Sequence, residues 1–407
     1  MKLEVGKLAV GIIAEYNPFH AGHAHQIAQI KKIYGGEIVA VMSGNFTQRG
    51  EPTILDKFTR ARLAVLGGVD LVLELPFVKA VRSAQDFARG GIQLLESLGG
   101  VVDVLAFGAE FTDVEHLKLA AAAFAEKTFA EELRRLMSAG ISYAAAVTKI
   151  LSRVTGLDEK ILRQPNTILA IEYLRALPEK ISPLLIERRG AAYDDLTLRE
   201  EFSSASAIRA ALYENSPPWE KIAAQVSTET LQALRTEKFP DEKFLFRPLM
   251  TKLLTARADE LKKIYGMTEG LEFRLLNAAS AKNFSELIKI LIGRRYTASR
   301  IRRLLLYFLL DVTAEEIAEL DAATCIKVLA FNERGRALIK KISVPIVTKL
   351  TKHLNRRDIH ERRRFLEPYQ KILLYDVLAT DLRGILFEPP RPPQSDFATP
   401  PAFVRKD

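Results

Sequence analysis

Two histidines in the spacing His20-Ala21-Gly22-His23 stand where an apolar run ends and a helical spacing begins. The run Leu8-Ala9-Val10-Gly11-Ile12-Ile13-Ala14 reads as a buried strand, and Asn17-Pro18 breaks it into a turn. From Ala24 onward, Ile27, Ile30 and Ile33 fall near one helical face. The imidazoles are therefore expected at a helix N-terminus, where backbone N–H groups lack partners and the dipole favours an anion. Gly22 lets a ligand approach the backbone closely. Such a turn suits a polyphosphate that gains charge as a bond breaks. His25 falls outside the spacing and reads as surface.

Other polar groups follow strand ends in the same way. The loop Ser43-Gly44-Asn45-Phe46-Thr47-Gln48-Arg49-Gly50 is polar and glycine-flanked, and reads as facing a substrate. Lys57 and Arg60, on the next helix, either add positive charge to the site or form a solvated face. Gly108 either lets the backbone lie against a base or simply turns the chain. Asn166, in Pro165-Asn166-Thr167, can cap a helix. Arg188 follows a short strand at Ser182–Glu187. In Ser203-Ser204-Ala205-Ser206-Ala207-Ile208-Arg209, Ser206 reads as an N-cap with Arg209 in the first turn, a second phosphate clamp.

The elements that must position these groups alternate. Apolar strands are expected at 37–42, 69–75 and 101–107, with helices near 56–67 and 84–98. Continuous apolar strands between helices indicate an α/β, Rossmann-like, doubly wound parallel sheet covered on both faces. Its ligand crevice lies at the carboxyl ends of the strands. Helices are expected over 114–124, 128–137 and 143–154. Ser216-Pro217-Pro218 then interrupts the chain. We divide it into residues 1–235, an ATP-binding catalytic part; 236–387, a mainly helical basic part; and 388–407, a tail. The tail holds six of the 18 prolines and is expected to be extended and poorly ordered.

The 407 residues are 48% hydrophobic and 27% charged, ordinary for a soluble globular protein, and no apolar run approaches a membrane span. The only cysteine, Cys325, excludes an internal disulfide and a cysteine metal cluster. A cytoplasmic location is expected, and no carboxylate cluster marks a protein metal site. Residues 271–407 hold 25 Lys and Arg against 16 Asp and Glu, whereas residues 1–270 hold 34 of each sign. The net charge of +9 thus belongs entirely to the last third, which points to a polyanionic partner there. Within it, Ile301, Leu304, Leu305, Phe308 and Leu309 form one apolar stripe. Arg300, Arg303 and Tyr307 share another face, with Arg294 and Arg295 just before it. Arginines beside an aromatic suit a phosphate backbone and a stacked base. Arg356, Arg357 and residues 362–364 add a second basic cluster.

HxGH after a first strand resembles the signature of the nucleotidyltransferase superfamily, and the SxSAIR string resembles its second signature. The longer Ala14-Glu15-Tyr16-Asn17-Pro18-Phe19-His20-Ala21-Gly22-His23 resembles the tRNA(Met) cytidine acetate ligases, in which Ala21 is usually Asn. The resemblance implies activation of acetate by ATP as acetyl-adenylate, then transfer to N4 of the wobble cytidine of elongator tRNA(Met). It implies catalytic roles for His20 and His23. ATP contacts would come from Ile13, Ala14, Glu15, Tyr16, Asn17, Pro18, Phe19, Gly22, Gly108, Asn166, Arg188, Ser206 and Arg209. Magnesium is expected with ATP. A small-molecule adenylyltransferase and a non-enzymatic RNA-binding protein are the alternatives. The first needs no basic helical extension, and intact phosphate motifs disfavour the second.

Overall fold

The computed structural model describes residues 9–188, 197–199, 202–268, 270–293, 295–359, 365–393 and 395–405. Arg294 and the basic run 362–364 lie outside the described residues. Five parallel strands form the centre: β1 (Ala9–Ala14), β2 (Ile38–Ser43), β3 (Leu71–Leu75), β4 (Val102–Ala109) and β5 (Ser182–Glu187). Their order is β5-β4-β1-β2-β3. In register, Ile12 faces Ala40, and Ala40 faces Val72.

Period-two alternation sends the strand side chains to opposite faces. Val39, Val41, Leu71, Leu73, Leu105 and Phe107 pack on one face under α3 (Ala84–Glu96) and α4 (Pro165–Ala176). Val10, Ile12, Ile38, Ala40, Val72 and Val104 pack on the other. That face is covered by α1 (Ala21–Tyr34), α2 (Lys57–Leu66) and α5 (Ala205–Leu212). Ile27 and Ile30 bury as their spacing implies, but Ile33 is 47% exposed. The sheet is doubly wound, as the strand pattern implies.

The sheet does not stop at residue 235. Strand β6 (Ile326–Phe331) pairs antiparallel with β3, and β7 (Ile346–Val347) and β8 (Ala402–Phe403) pair with β6. Among the described residues, the expected loose tail is therefore overturned: residues 395–397 form a 3-10 turn and 402–403 a sheet strand. Asp396, in that turn, is buried between Lys57 and Lys327, at 2.6 and 2.7 Å, and both lysines also reach Glu74. Composition hinted at disorder, but a buried ion network and a strand pairing order the segment.

The helical body, with α6 (Ala298–Leu310) and α7 (Pro368–Gly384), shares its core with Phe46, Phe77, Val78 and Val81 of the first part. The α6 stripe Ile301, Leu304, Leu305 and Phe308 buries as expected, while Leu309 is only half-buried. Tyr307 is buried too, and its hydroxyl donates to the carbonyl of Val81. A stacking platform at Tyr307 is thereby overturned, because the face it occupies is covered by Phe77 and Tyr265. No helix among the described residues is long and apolar enough to cross a membrane.

Candidate active site

A cavity of about 560 Å³ opens at the carboxyl ends of β1, β4 and β5. Its lining includes Ile13, Ala14, Glu15, Tyr16, Asn17, His20, Gly22, His23, Gly108, Asn166, Arg188 and Arg209. Residues from five stretches of sequence thus converge where a doubly wound sheet presents its ligand crevice. Pro18, Phe19 and Ser206 do not line it. Phe19 is buried behind the turn, against Tyr16 and Gly67, and so shapes the turn.

The β1–α1 turn is built from its own polar groups. Tyr16 takes φ +48°, and the Asn17–Pro18 peptide is cis. His20 is the N-cap of α1: its Nδ1 accepts the Gly22 N–H at 3.0 Å. His23 Nδ1 accepts the His20 N–H at 3.3 Å, closing a capping box, and the ring centroids lie 3.9 Å apart. A Cβ on Gly22 would meet His20 Cε1 at 2.8 Å, so the glycine leaves room for the folded-back ring.

Because both Nδ1 atoms accept backbone N–H groups, each neutral ring carries its proton on Nε2. Burial, with Arg188 and Arg209 nearby, holds His20 down at about 3. Burial, the His20 ring and Arg188 likewise hold His23 well below its usual range. Both are neutral donors at physiological pH, and they share the helix terminus with backbone amides.

Arg209 crosses from α5 to this turn. Its guanidinium donates to the Asn17 carbonyl at 2.9 Å and to Ser206 Oγ at 3.3 Å, and lies 3.6 Å from Glu51. The cap of α5 is Ser204, whose Oγ accepts the Ala207 N–H at 3.0 Å; the expected cap at Ser206 is corrected. Ser203 and Ser204, not Ser206, line the cavity. Asn166 is likewise not the cap of its helix, since α4 begins at Pro165 after Gln164. Instead its Nδ2 donates to Glu110 Oε1 at 2.5 Å, which leaves its carbonyl oxygen for the cavity. Arg188 is exposed, and its side chain lies 3.0 Å from where a Gly108 Cβ would stand.

Lys57 and Arg60 do not reach the cavity, so the expectation of added positive charge fails. Lys57 is in the buried ion network. Arg60 is fully buried and donates to the carbonyls of Glu15, Ser43, Gly44 and Leu55. It fastens the ends of β1 and β2 together.

The loop 43–50 does reach the cavity, through Gln48 and Arg49. The Gln48 N–H donates to Glu15 Oε1 at 2.6 Å and its side chain to the Arg82 carbonyl at 2.6 Å. Arg303 of α6 donates to the Gln48 carbonyl at 3.4 Å. Arg300 and Arg303 are both half-buried, whereas Arg295 is exposed. Arg300 lies over the Tyr296 ring at 4.8 Å and donates to Thr268 Oγ1. Ser299, beside it, lines the cavity. Phe107, Arg163 and Tyr173 also line it. Their sequence signal was only that they follow or face the strand ends.

The family model of the HIGH nucleotidyl transferases matches residues 8–396. A tRNA(Met) cytidine acetate ligase of Caldanaerobacter subterraneus is 38% identical over 398 residues, 93% of this chain and 96% of that protein. One of Syntrophotalea carbinolica is 40% identical over 360 residues, 84% of this chain and 85% of that protein. The crystal structure of Thermotoga maritima TmcAL in its apo form superposes with a TM-score of 0.88 at 31% identity. The form of TmcAL bound with alpha-thio ATP superposes at 0.86 and 30%. Both cover 98% of this chain and 100% of theirs. Matched by the family model over residues 8–396 and by these relatives over most of both lengths, the chain belongs to the tRNA(Met) cytidine acetate ligase family of HIGH nucleotidyl transferases.

Proposed function

We propose that the chain joins acetate to N4 of a cytidine in tRNA, at the expense of ATP, with AMP and pyrophosphate as products. The observation that carries this is the pair of neutral Nε2–H donors on His20 and His23. They share one cavity with the N-terminus of α1 and with Arg209. Acetate is a poor acyl donor because its oxygen leaves badly. Attack of a carboxylate oxygen on the α-phosphorus of ATP gives acetyl-adenylate and releases pyrophosphate. Negative charge grows on the phosphate oxygens as that bond breaks, and preorganised donors stabilise it most then. His20, His23, Arg209 and the amides of α1 fill that role. Ile13, Ala14, Tyr16, Asn17, Gly108, Asn166 and Arg188 surround the nucleotide. Among the described residues no group of three or more His, Cys, Asp or Glu side chains is arranged to hold a metal. Magnesium enters as part of the ATP substrate.

The names of the relatives, and the confinement of net positive charge to the last third, support tRNA as acyl acceptor, with the wobble cytidine of tRNA(Met) as target. Arg295 and Arg300, close in sequence to Ser299 of the cavity lining, are the arginines we assign to RNA phosphates. The reaction belongs in the cytoplasm, where tRNA is. Incubation of the protein with ATP, labelled acetate and total tRNA, followed by nucleoside mass spectrometry, tests the reading. Labelled N4-acetylcytidine is expected, dependent on ATP. Formation of AMP with no label in RNA would overturn it in favour of a small-molecule acceptor.

A further inference from the structure

The two halves of this reaction make opposite demands. Activation needs donors and positive charge around phosphates. Transfer needs somewhere for a proton to go, because the cytosine N4 amine must lose one as it becomes an amide. The groups already placed in the cavity cannot take it. His20 and His23 have their Nδ1 lone pairs on backbone N–H groups and carry protons on Nε2. Arg188 and Arg209 are cations. Burial pushes the phenols of Tyr16 and Tyr173 up, so both remain protonated.

Glu15 is different. It lies one residue after β1, half-buried, with its carboxylate in the cavity lining. Oε1 is held by the Gln48 N–H at 2.6 Å. Oε2 has no hydrogen-bond partner among the described residues. Withdrawal from water raises the Glu15 carboxyl above its ordinary value; the Gln48 N–H, Arg209 and Arg60 oppose the rise, and Glu51 adds to it. A carboxylate tuned upward is a better proton acceptor than a solvated one. Of the other carboxylate and imidazole side chains in the lining, Glu187 is exposed and His25 lies against the Phe202 ring.

The support of Glu15 also points toward the RNA. Gln48, which holds Oε1, is itself held by the Arg82 carbonyl and by Arg303 of α6. Ser299, at the start of α6, lines the same cavity. The carboxylate thus sits where the basic helical body meets the nucleotide site.

Resting on the acetyl-transfer reading above, we propose that Glu15 is the general base of the second half-reaction, accepting the proton of cytidine N4 on Oε2. The N4 lone pair forms the N–C bond to the acetyl carbonyl. The C–O bond to the adenylate phosphate breaks, its electron pair leaves with AMP, and the N4 proton passes to Glu15. Gln48 is a positioning residue that fixes the carboxylate through Oε1.

Glu15→Gln keeps an acceptor for the Gln48 N–H but removes the basic oxygen. With ATP, labelled acetate and tRNA(Met), acetyl-adenylate should build up on Glu15→Gln, whereas the wild type consumes it. Single-turnover transfer to tRNA should fall roughly 10²- to 10⁴-fold, the usual worth of a positioned base. The wild-type transfer rate should lose activity on the acid side as Glu15 protonates, and the variant should lack that limb. Glu15→Asp should recover part of the transfer rate. Transfer at the wild-type rate in Glu15→Gln would overturn the assignment. So would loss of transfer with no build-up of acetyl-adenylate, which would place Glu15 in activation or folding instead. A wild-type enzyme that leaves tRNA unlabelled would refute the underlying reading, a result distinguishable from either.

Discussion

The His20 ring closes the N-terminus of α1 through Nδ1 and offers Nε2–H to the cavity, so one side chain serves both helix and chemistry. The two functions can be separated. Asparagine is a strong N-cap, so His20→Asn should keep the helix start while removing the donor. Acetate-dependent exchange of pyrophosphate into ATP should then be lost without loss of the fold. The depressed basicity of the ring gives a second readout. In the unfolded chain His20 takes up a proton near pH 6.5, but in the folded chain not until about pH 3. Between those values the unfolded state binds more protons, so this stability is complete above pH 6.5 and is lost as pH falls toward 3. From pH 7 to pH 5 the loss attributable to His20 is about 2 kcal/mol. Urea unfolding at both pH values should therefore show His20→Asn losing less stability than wild type by roughly that amount. An equal loss would mean that His20 is not held neutral.

Loop 43–50 and helix α6 show what local pattern can and cannot reveal. Polarity and glycines marked the loop as a site loop, and Gln48 and Arg49 do line the cavity. What clamps it comes from far away in sequence. Arg383 donates to the Thr53 and Ile54 carbonyls, and Thr380 accepts from Asn45 Nδ2. Gly50 takes φ +79°, and a Cβ there would stand 2.9 Å from the Arg303 backbone nitrogen. Gly50→Ala would combine left-handed backbone strain with a clash against helix backbone that cannot yield. A loss of about 1–3 kcal/mol in thermal or urea unfolding is expected, with slower acetyl transfer because Gln48, which positions Glu15, moves with the loop. Unchanged stability and transfer would show that the loop and α6 are not in contact. The strands were readable because a parallel sheet buried on both faces writes continuous apolar runs. Helix starts were less so: Ser203, Ser204 and Ser206 can all cap, and only the path of the preceding chain selects Ser204. Tyr307 shares a helical face with Arg300 and Arg303 by spacing, but spacing cannot reveal that Phe77 and Tyr265 cover it.

On the scale of the molecule, residues far apart in sequence close one buried ion network. Asp396 joins Lys57 and Lys327, and Thr380 donates to its other oxygen at 3.0 Å. Burial alone would raise this carboxyl, but the lysines hold it down at about 2. Asp396→Ala removes the carboxylate that bonds both buried lysines, and breaking such a network costs about 3–5 kcal/mol. Urea unfolding should show that loss, and Asp396→Leu combined with Lys327→Met should recover part of it. A single variant within about 0.5 kcal/mol of wild type would mean that the network is solvated and slack. The bond from Lys57 to Asp396 spans 339 positions of sequence. During synthesis, Lys57 and Lys327 lack Asp396 until the ribosome has delivered it, however early the first strands collapse. Lys57 opens α2, and its backbone N–H is held by Asn45 of the site loop. Nascent chains therefore carry a recognisable HxGH turn long before they carry the carboxylate that completes the network beside the site loop.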